Sequence, residues 1–316
     1  MQHIINSAQT CLDCKKPKCQ KGCPVNTPIA EMIRLFLAGD IKEAGKKVFD
    51  NNPLSIICSL VCPHEKHCEG HCILNKKHTP VNVGGIENYI STFYMNYKEF
   101  NKPEHNGKNI AIIGSGPAGI SLAMMMSLKG YGVTMYEGND KIGGVLRYGI
   151  PDFRLDKTIL DQIEENLVKT GVKIRKNIMI GKNITLCDLQ RDGFHAIFIG
   201  TGVWKPKKLN IKGESLGNVH FAIDYLKTPK AYDLGKKVVV VGAGNVAMDV
   251  ARTVIRNGAM DVSIMYRKSE EDMPAEKMEI EKLGLQPKPL AVLQEAVARP
   301  NGMIITTDPT GSGKTT

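Results

Sequence analysis

Eight of the nine cysteines fall between residues 11 and 72, and only Cys187 lies outside that stretch. Thiols crowded in this way must pair, bind metal or share a core, so they limit the possible folds more than any other feature. They form two groups: Cys11, Cys14, Cys19 and Cys23 with spacing C-x2-C-x4-C-x3-C, and Cys58, Cys62, Cys68 and Cys72 with spacing C-x3-C-x5-C-x3-C. Thiolates at such intervals on turns can converge on a soft metal centre, and Pro24 and Pro63 directly follow cysteines, as prolines do in bacterial iron–sulfur runs. Eight thiols match two [4Fe–4S] clusters. Three other readings compete. A disulfide framework needs an exported context. Structural zinc usually shows paired C-x2-C knuckles, and here Cys11 and Cys14 form the only one. Inert core thiols would not gather in one stretch. His64, His67 and His71 read as surface or neighbouring groups rather than ligands.

No run approaches the apolar length of a membrane span, and the first eleven residues have neither a basic start nor an apolar core. The expectation is a cytoplasmic protein without membrane contact. A formal charge of +10 favours anionic partners through long-range steering. Nucleic acid is not expected, because the basic residues are scattered, the strongest cluster being Lys205, Lys207 and Lys208, and aromatic residues make up only 6%. A solvated lysine-rich face fits better.

At 316 residues the chain has room for two compact domains and a small module. Residues 1 to about 100 hold the cysteines among short helices such as Thr27–Leu37, and the polar stretch Asn101–Lys108 reads as a linker. From Asn109 the pattern changes to an apolar run Ile110–Ile113, a glycine turn, a helix from about Gly119 to Lys129 and a strand Val133–Tyr136. The same βαβ pattern recurs from Lys236, with strand Val238–Val241, a second glycine turn, a helix through Met248–Ile255 and strand Val262–Tyr266. Another apolar strand, Phe194–Gly200, lies between them and runs into Gly200-Thr201-Gly202.

The first turn, Gly114-Ser115-Gly116-Pro117-Ala118-Gly119, is a complete G-x-G-x-x-G, and Glu137 ends the following strand. Gly114 permits the tight turn, Gly116 lets a pyrophosphate approach the helix N-terminus, Gly119 lets helix and strand pack, and Glu137 accepts ribose hydroxyls. The second turn, Gly242-Ala243-Gly244-Asn245-Val246-Ala247, is the G-x-G-x-x-A form. Its second strand ends in Tyr266-Arg267-Lys268, with no carboxylate in the place of Glu137. Cations there suit a 2′-phosphate, so NADP is favoured over NAD; the bland alternative is that both simply face solvent.

These residues resemble the family of glutamate synthase small subunits, which includes the NADPH-side subunit of bifurcating ferredoxin:NADP oxidoreductases and the amino-terminal part of dihydropyrimidine dehydrogenases. The resemblance rests on both cysteine groups, Cys68-Glu69-Gly70-x-Cys72, Gly143-Gly144-Val145-Leu146-Arg147-Tyr148-Gly149-Ile150-Pro151, Gly242 to Asp249 and Tyr266-Arg267-x3-Glu271-x-Met273-Pro274, and extends to about residue 281. It implies an α/β chain with an N-terminal helical iron–sulfur domain (1–100) followed by two dinucleotide-binding, Rossmann-like βαβ domains. The first, for FAD (101–235), lacks its C-terminal return segment, and the second, for NADPH (236–282), is truncated. Carried over by position, Cys11, Cys14 and Cys19 would bind one cluster with Glu87 as fourth ligand, and Cys23, Cys62, Cys68 and Cys72 the other. Cys58 is the alternative to Glu87. The resemblance assigns Gly114, Gly116, Gly119 and Glu137 to FAD, and Gly242, Gly244, Asn245, Arg252 and Arg267 to NADPH. It further implies an electron-accepting partner subunit, of the glutamate synthase large-subunit or ferredoxin type. Hydride transfer needs no side-chain acid or base, so no catalytic residue is assigned.

Beyond about Glu281 the chain departs from that family. Residues 283–316 resemble secretion and type IV pilus assembly ATPases and end on Thr310-Gly311-Ser312-Gly313-Lys314-Thr315-Thr316, but Asp308 stands where the P-loop needs glycine. ATP binding centred on Lys314 is therefore the poorest reading. A chain that changes family at one point looks like a fusion or truncated chimera, for which weak or absent NADPH turnover and exposed sheet edges are expected. The alternative function is accordingly a non-catalytic iron–sulfur-binding protein.

Overall fold

The computed structural model describes residues 2–267, 273–275 and 302–305. The cysteine-bearing part is helical: α1 (Gln2–Gln9), α2 (Lys18–Gly22), α3 (Ile29–Leu37), α4 (Ile41–Asn51), α5 (Ser55–Val61) and α6 (Val83–Tyr97). Helix α3 forms because Ile29, Met32, Ile33 and Phe36 recur at helical spacing and are all buried. Asp40 caps α4 by accepting from the Glu43 N–H at 3.1 Å. Hydroxyls and amides join α5 to α6, with Ser91 Oγ donating to Ser55 Oγ at 3.0 Å and Asn88 Nδ2 to Ser59 Oγ at 3.1 Å. Lys98–Lys108 continue without regular structure.

The first glycine turn belongs to a parallel sheet of order β3-β2-β1-β4. Along this stretch the chain runs through β1 (Asn109–Ile113), α7 (Pro117–Leu128), β2 (Gly132–Tyr136), α8 (Val145–Tyr148), α9 (Lys157–Lys169), β3 (Lys173–Arg175), α10 (Leu186–Arg191) and β4 (Ala196–Ile199). Parallel pairing with helices on the faces buries the central strands, and Ala111, Ile112 and Met135 are fully buried. Strand β4 is the outer strand beyond β1, and its Ile199 is 59% exposed.

The chain divides into two compact units. One comprises residues 1–144 and 152–201, the other Val145–Pro151 and the described residues from Gly202 onward. Helix α8 thus belongs to the second unit. That unit adds β5 (Val219–Phe221), α11 (Ala222–Lys227), β6 (Lys237–Val241), α12 (Asn245–Arg256), β7 (Asp261–Met265) and β8 (Gly302–Ile305), in a parallel sheet of order β5-β8-β6-β7.

This sheet differs from the expected segment 236–282 followed by an unrelated tail. It takes β5 from before residue 236 and β8 from beyond residue 282, with Val240 opposite Ile304 and His220 opposite Ile304 on the other side. The physical reason is burial. Val238 and Val240 present a continuous apolar strand that needs a neighbour on each side, and the apolar Ile304 and Ile305, at 0% and 1% exposure, provide one. Lys268, Glu271, the change of family near Glu281, Asp308 and Thr310–Thr316 lie outside the described residues.

Candidate functional site

All nine cysteines are free thiols. Cys11, Cys14, Cys19 and Cys72 line one cavity, walled on its apolar side by Ile29 and Ile33 of α3 together with Leu74, Val81 and Val83. Desolvation pushes the Cys19 thiol up to about 11, and Cys72, Cys11 and Cys14 add to the shift. Desolvation also raises Cys11, with Cys14 and Cys72 contributing. Four thiols lining one mostly apolar cavity make a donor set suited to a soft cationic centre.

The second group gathers around Glu87. Burial raises the Cys58 thiol, and the nearby Glu87 and Cys23 raise it further. Cys68 is raised by burial and by Glu69, Cys62 and Glu87. Asn52 Nδ2 donates to Cys58 Sγ at 3.2 Å, and Cys23 Sγ lies 3.4 Å from Thr27 Oγ1. Burial alone lifts the Glu87 carboxyl to about 7, and its Oε1 is buried with no hydrogen-bond partner. A buried carboxylate oxygen among thiols, with nothing to accept from, fits a metal centre.

The side chains group in a way that cuts across the expected ligand sets. Cys72 stands with Cys11, Cys14 and Cys19, while Glu87 stands with Cys23, Cys58, Cys62 and Cys68. Helix packing is the reason for Glu87: α5 leads from Cys58 to Cys62, and its serine contacts to α6 bring Glu87, one turn into α6, against Cys58. Cys72 closes a tight turn in which the His71 N–H donates to His67 O at 3.1 Å and the Cys72 N–H to Glu69 O at 3.0 Å, and its side chain lines the cavity with Cys11, Cys14 and Cys19. Among the described residues no three His, Cys, Asp or Glu side chains lie at the spacing of a single metal ion.

At the first glycine turn, Gly114 adopts φ +99°, and a Cβ there would strike the Gly200 carbonyl. A Cβ on Gly119 would strike the Gly114 carbonyl, so the third glycine serves helix–strand contact as expected. Gly116, the N-cap of α7, has open space where its Cβ would be. Glu137 lies beneath the turn, 6% exposed, accepting from the Ser115 N–H at 3.1 Å, from Ser115 Oγ, and from the Asn139 N–H at 2.7 Å. Its carboxylate is thereby fixed in place before any ligand arrives.

Two features of this turn are not evident from the glycine pattern alone. Gly143 donates its N–H to Ser115 O at 2.9 Å, and a Cβ on Gly144 would come within 2.8 Å of Gly116 Cα. The Gly143-Gly144 pair therefore closes over the turn, and its only signal in the sequence is the quoted Gly143–Pro151 string.

At the second turn Gly242 adopts φ +123° and donates its N–H to Met265 O at 2.8 Å, Gly244 is the N-cap of α12, and Asn245 opens that helix. Arg267 is exposed just beyond β7. Arg252, expected as a second cation for the nucleotide, is only 8% exposed, in the same helix as the buried Asp249. Of the two expected cations, Arg252 is buried and Arg267 is exposed.

Residues 1–99 match the model of the dihydropyrimidine dehydrogenase domain II, 4Fe–4S cluster, and residues 108–286 match that of pyridine nucleotide-disulphide oxidoreductase. The chain is 34% identical to the glutamate synthase [NADPH] small chain of Azospirillum brasilense, over 86% of this chain and 60% of that one. It is 32% identical to the NAD-dependent dihydropyrimidine dehydrogenase subunit PreT of Salmonella typhimurium, over 87% of this chain and 68% of that one. Among solved structures, 2-naphthoyl-CoA reductase shares the fold, with a TM-score of 0.58 at 17% identity over 87% of this chain and 43% of that one. The chain thus spans about 60% of the glutamate synthase small chains it matches. With the pyridine nucleotide-disulphide oxidoreductase model matching more than half of the chain and a 4Fe–4S domain model preceding it, the chain belongs to the pyridine nucleotide-disulphide oxidoreductase family, with glutamate synthase small chains and PreT among its relatives.

Proposed function

We propose that this chain is the electron-input part of an NADPH-dependent oxidoreductase, taking electrons from NADPH and delivering them to a partner subunit. The observation that carries this reading is the union, in one chain, of two separate sulfur groups with two glycine turns that each lead into a helix N-terminus. Bound FAD and iron–sulfur clusters would supply the exchange of a two-electron hydride donor for one-electron delivery.

The residues provide binding and alignment. At the first turn, the open flank of Gly116 leaves room for a pyrophosphate to accept from the N–H groups that follow Pro117 at the α7 start, and the fixed Glu137 carboxylate takes the ribose. At the second, Gly244 and Asn245 open α12 toward the NADPH pyrophosphate, and Arg267 pairs with the 2′-phosphate. Cys11, Cys14, Cys19 and Cys72 hold one [4Fe–4S] cluster; Cys23, Cys62, Cys68 and Glu87 hold the other, with Cys58 beside it. The thiols must lose their protons to bind iron, so loading would release protons and weaken as pH falls.

The test is anaerobic purification with iron, sulfide and flavin analysis, followed by an absorbance spectrum before and after NADPH. About eight irons and one FAD per chain, with bleaching on NADPH, are expected. Iron without flavin would overturn the reading and leave a cluster-binding protein. The relatives' names would point to glutamate synthesis or pyrimidine reduction as the downstream use, and assay with each candidate large subunit separates the two.

A further inference from the structure

The two chain segments that build the Cys11–Cys14–Cys19–Cys72 cavity are unlike the rest of the surface. Residues 11–23 and 71–83 carry Lys15, Lys16, Lys18, Lys21, Lys76 and Lys77 against a single carboxylate, Asp13. All six lysines are exposed. Asp13 is already engaged, 3.5 Å from Arg34 Nη1, so the collar keeps its positive charge. Lys18 itself lines the cavity.

Within this collar Leu12 and Ile73 line the cavity and are also 59% and 44% exposed. The side chains that wall the sulfur site are therefore also the protein surface, and a molecule seated on them is one side chain away from the thiols. An apolar centre ringed by lysines has the anatomy of a small redox interface, where charge steers the encounter and a few apolar contacts hold it briefly. The two segments contain no Phe, Tyr or Trp on which a base could stack, only the imidazoles of His71 and His78, which favours a protein over nucleic acid as the occupant.

We propose that this lysine collar docks a small acidic one-electron carrier protein over the Cys11–Cys14–Cys19–Cys72 site. The inference rests on the electron-delivery reading above and names the surface through which delivery occurs. It also moves the relevant basic surface away from Lys205, Lys207 and Lys208, which the sequence singles out but which adjoin neither sulfur group in the chain.

The experiment uses the full chain loaded anaerobically with iron and sulfide, and an acidic plant-type [2Fe–2S] ferredoxin as probe. Binding of the oxidised probe, followed by calorimetry, is expected to weaken roughly tenfold or more between about 20 and 200 mM salt. Combined Lys15→Glu, Lys16→Glu, Lys76→Glu and Lys77→Glu is expected to weaken it by more than about tenfold, with iron content unchanged. The corresponding Lys→Gln set is a milder variant, expected to give a smaller loss in the same direction. Binding unaffected by both sets, an equal loss on reversing Lys205, Lys207 and Lys208, or collar-dependent binding of a 12-residue RNA as tight as that of ferredoxin would each overturn the proposal. Calorimetry of the oxidised probe needs no NADPH. Salt-sensitive binding without NADPH bleaching therefore counts against the electron path alone, and bleaching without collar-dependent binding counts against the docking surface alone.

Discussion

Glu87 shows how much one buried side chain decides. Its carboxyl is raised from 4.5 to about 7 by burial, so the folded apoprotein binds this proton more tightly than the unfolded chain does. The stability linked to it is complete below pH 4.5 and is lost as pH rises toward 7. Glu87→Gln is expected to flatten that part of the pH–stability curve and to stabilise the iron-free protein at pH 8 by up to about 3 kcal/mol, read by urea melts at several pH values. The loaded protein should respond differently, with an altered electron paramagnetic resonance signal for one cluster only. Arg267 makes a second residue-scale case. Arg267→Ala is expected to weaken NADPH binding roughly tenfold and leave NADH binding within about twofold, measured by titration with each nucleotide. At this scale the sequence was informative about residue type and poor about partnership: which thiols stand together depends on the tight turn that Cys72 closes and on serine contacts between two helices, and spacing encodes neither.

At the scale of elements, the first glycine turn separates two roles that the motif merges. Gly114 must be glycine because of its positive φ and the Gly200 carbonyl behind it, so Gly114→Ala should destabilise the first unit by about 2 kcal/mol or more, seen in thermal melts. Gly116 has ordinary backbone geometry and empty space in front of it, so Gly116→Val should leave the melting temperature nearly unchanged and abolish flavin retention. The strand–turn–helix grammar of both βαβ openings was legible because apolar runs, glycines and helix formers alternate at the right lengths. Strand β4 was legible as apolar but not as an outer strand. With Ile199 exposed there, Ile199→Lys is expected to lower concentration-dependent self-association, followed by light scattering.

For the whole molecule, the division into two units gives the single tryptophan a use. Trp204 lies in the second unit, so its fluorescence reports that unit while flavin and cluster absorbance report the first. Ile304→Ala, at a fully buried position, should cost about 2–4 kcal/mol and shift the tryptophan transition while leaving the cluster spectrum in place. The role of Gly302–Ile305 is not legible in the sequence, because a four-residue apolar run far from its partners carries no local signal of pairing.

The placement of that run between β5 and β6 also sets an order of events during synthesis. Strands β5, β6 and β7 leave the ribosome with a gap in the middle of their sheet, and the strand that fills it emerges some 37 residues after β7. Until then Val238 and Val240 lack their neighbour on that side, so a nascent chain at this stage presents its stickiest surface to chaperones and to other chains.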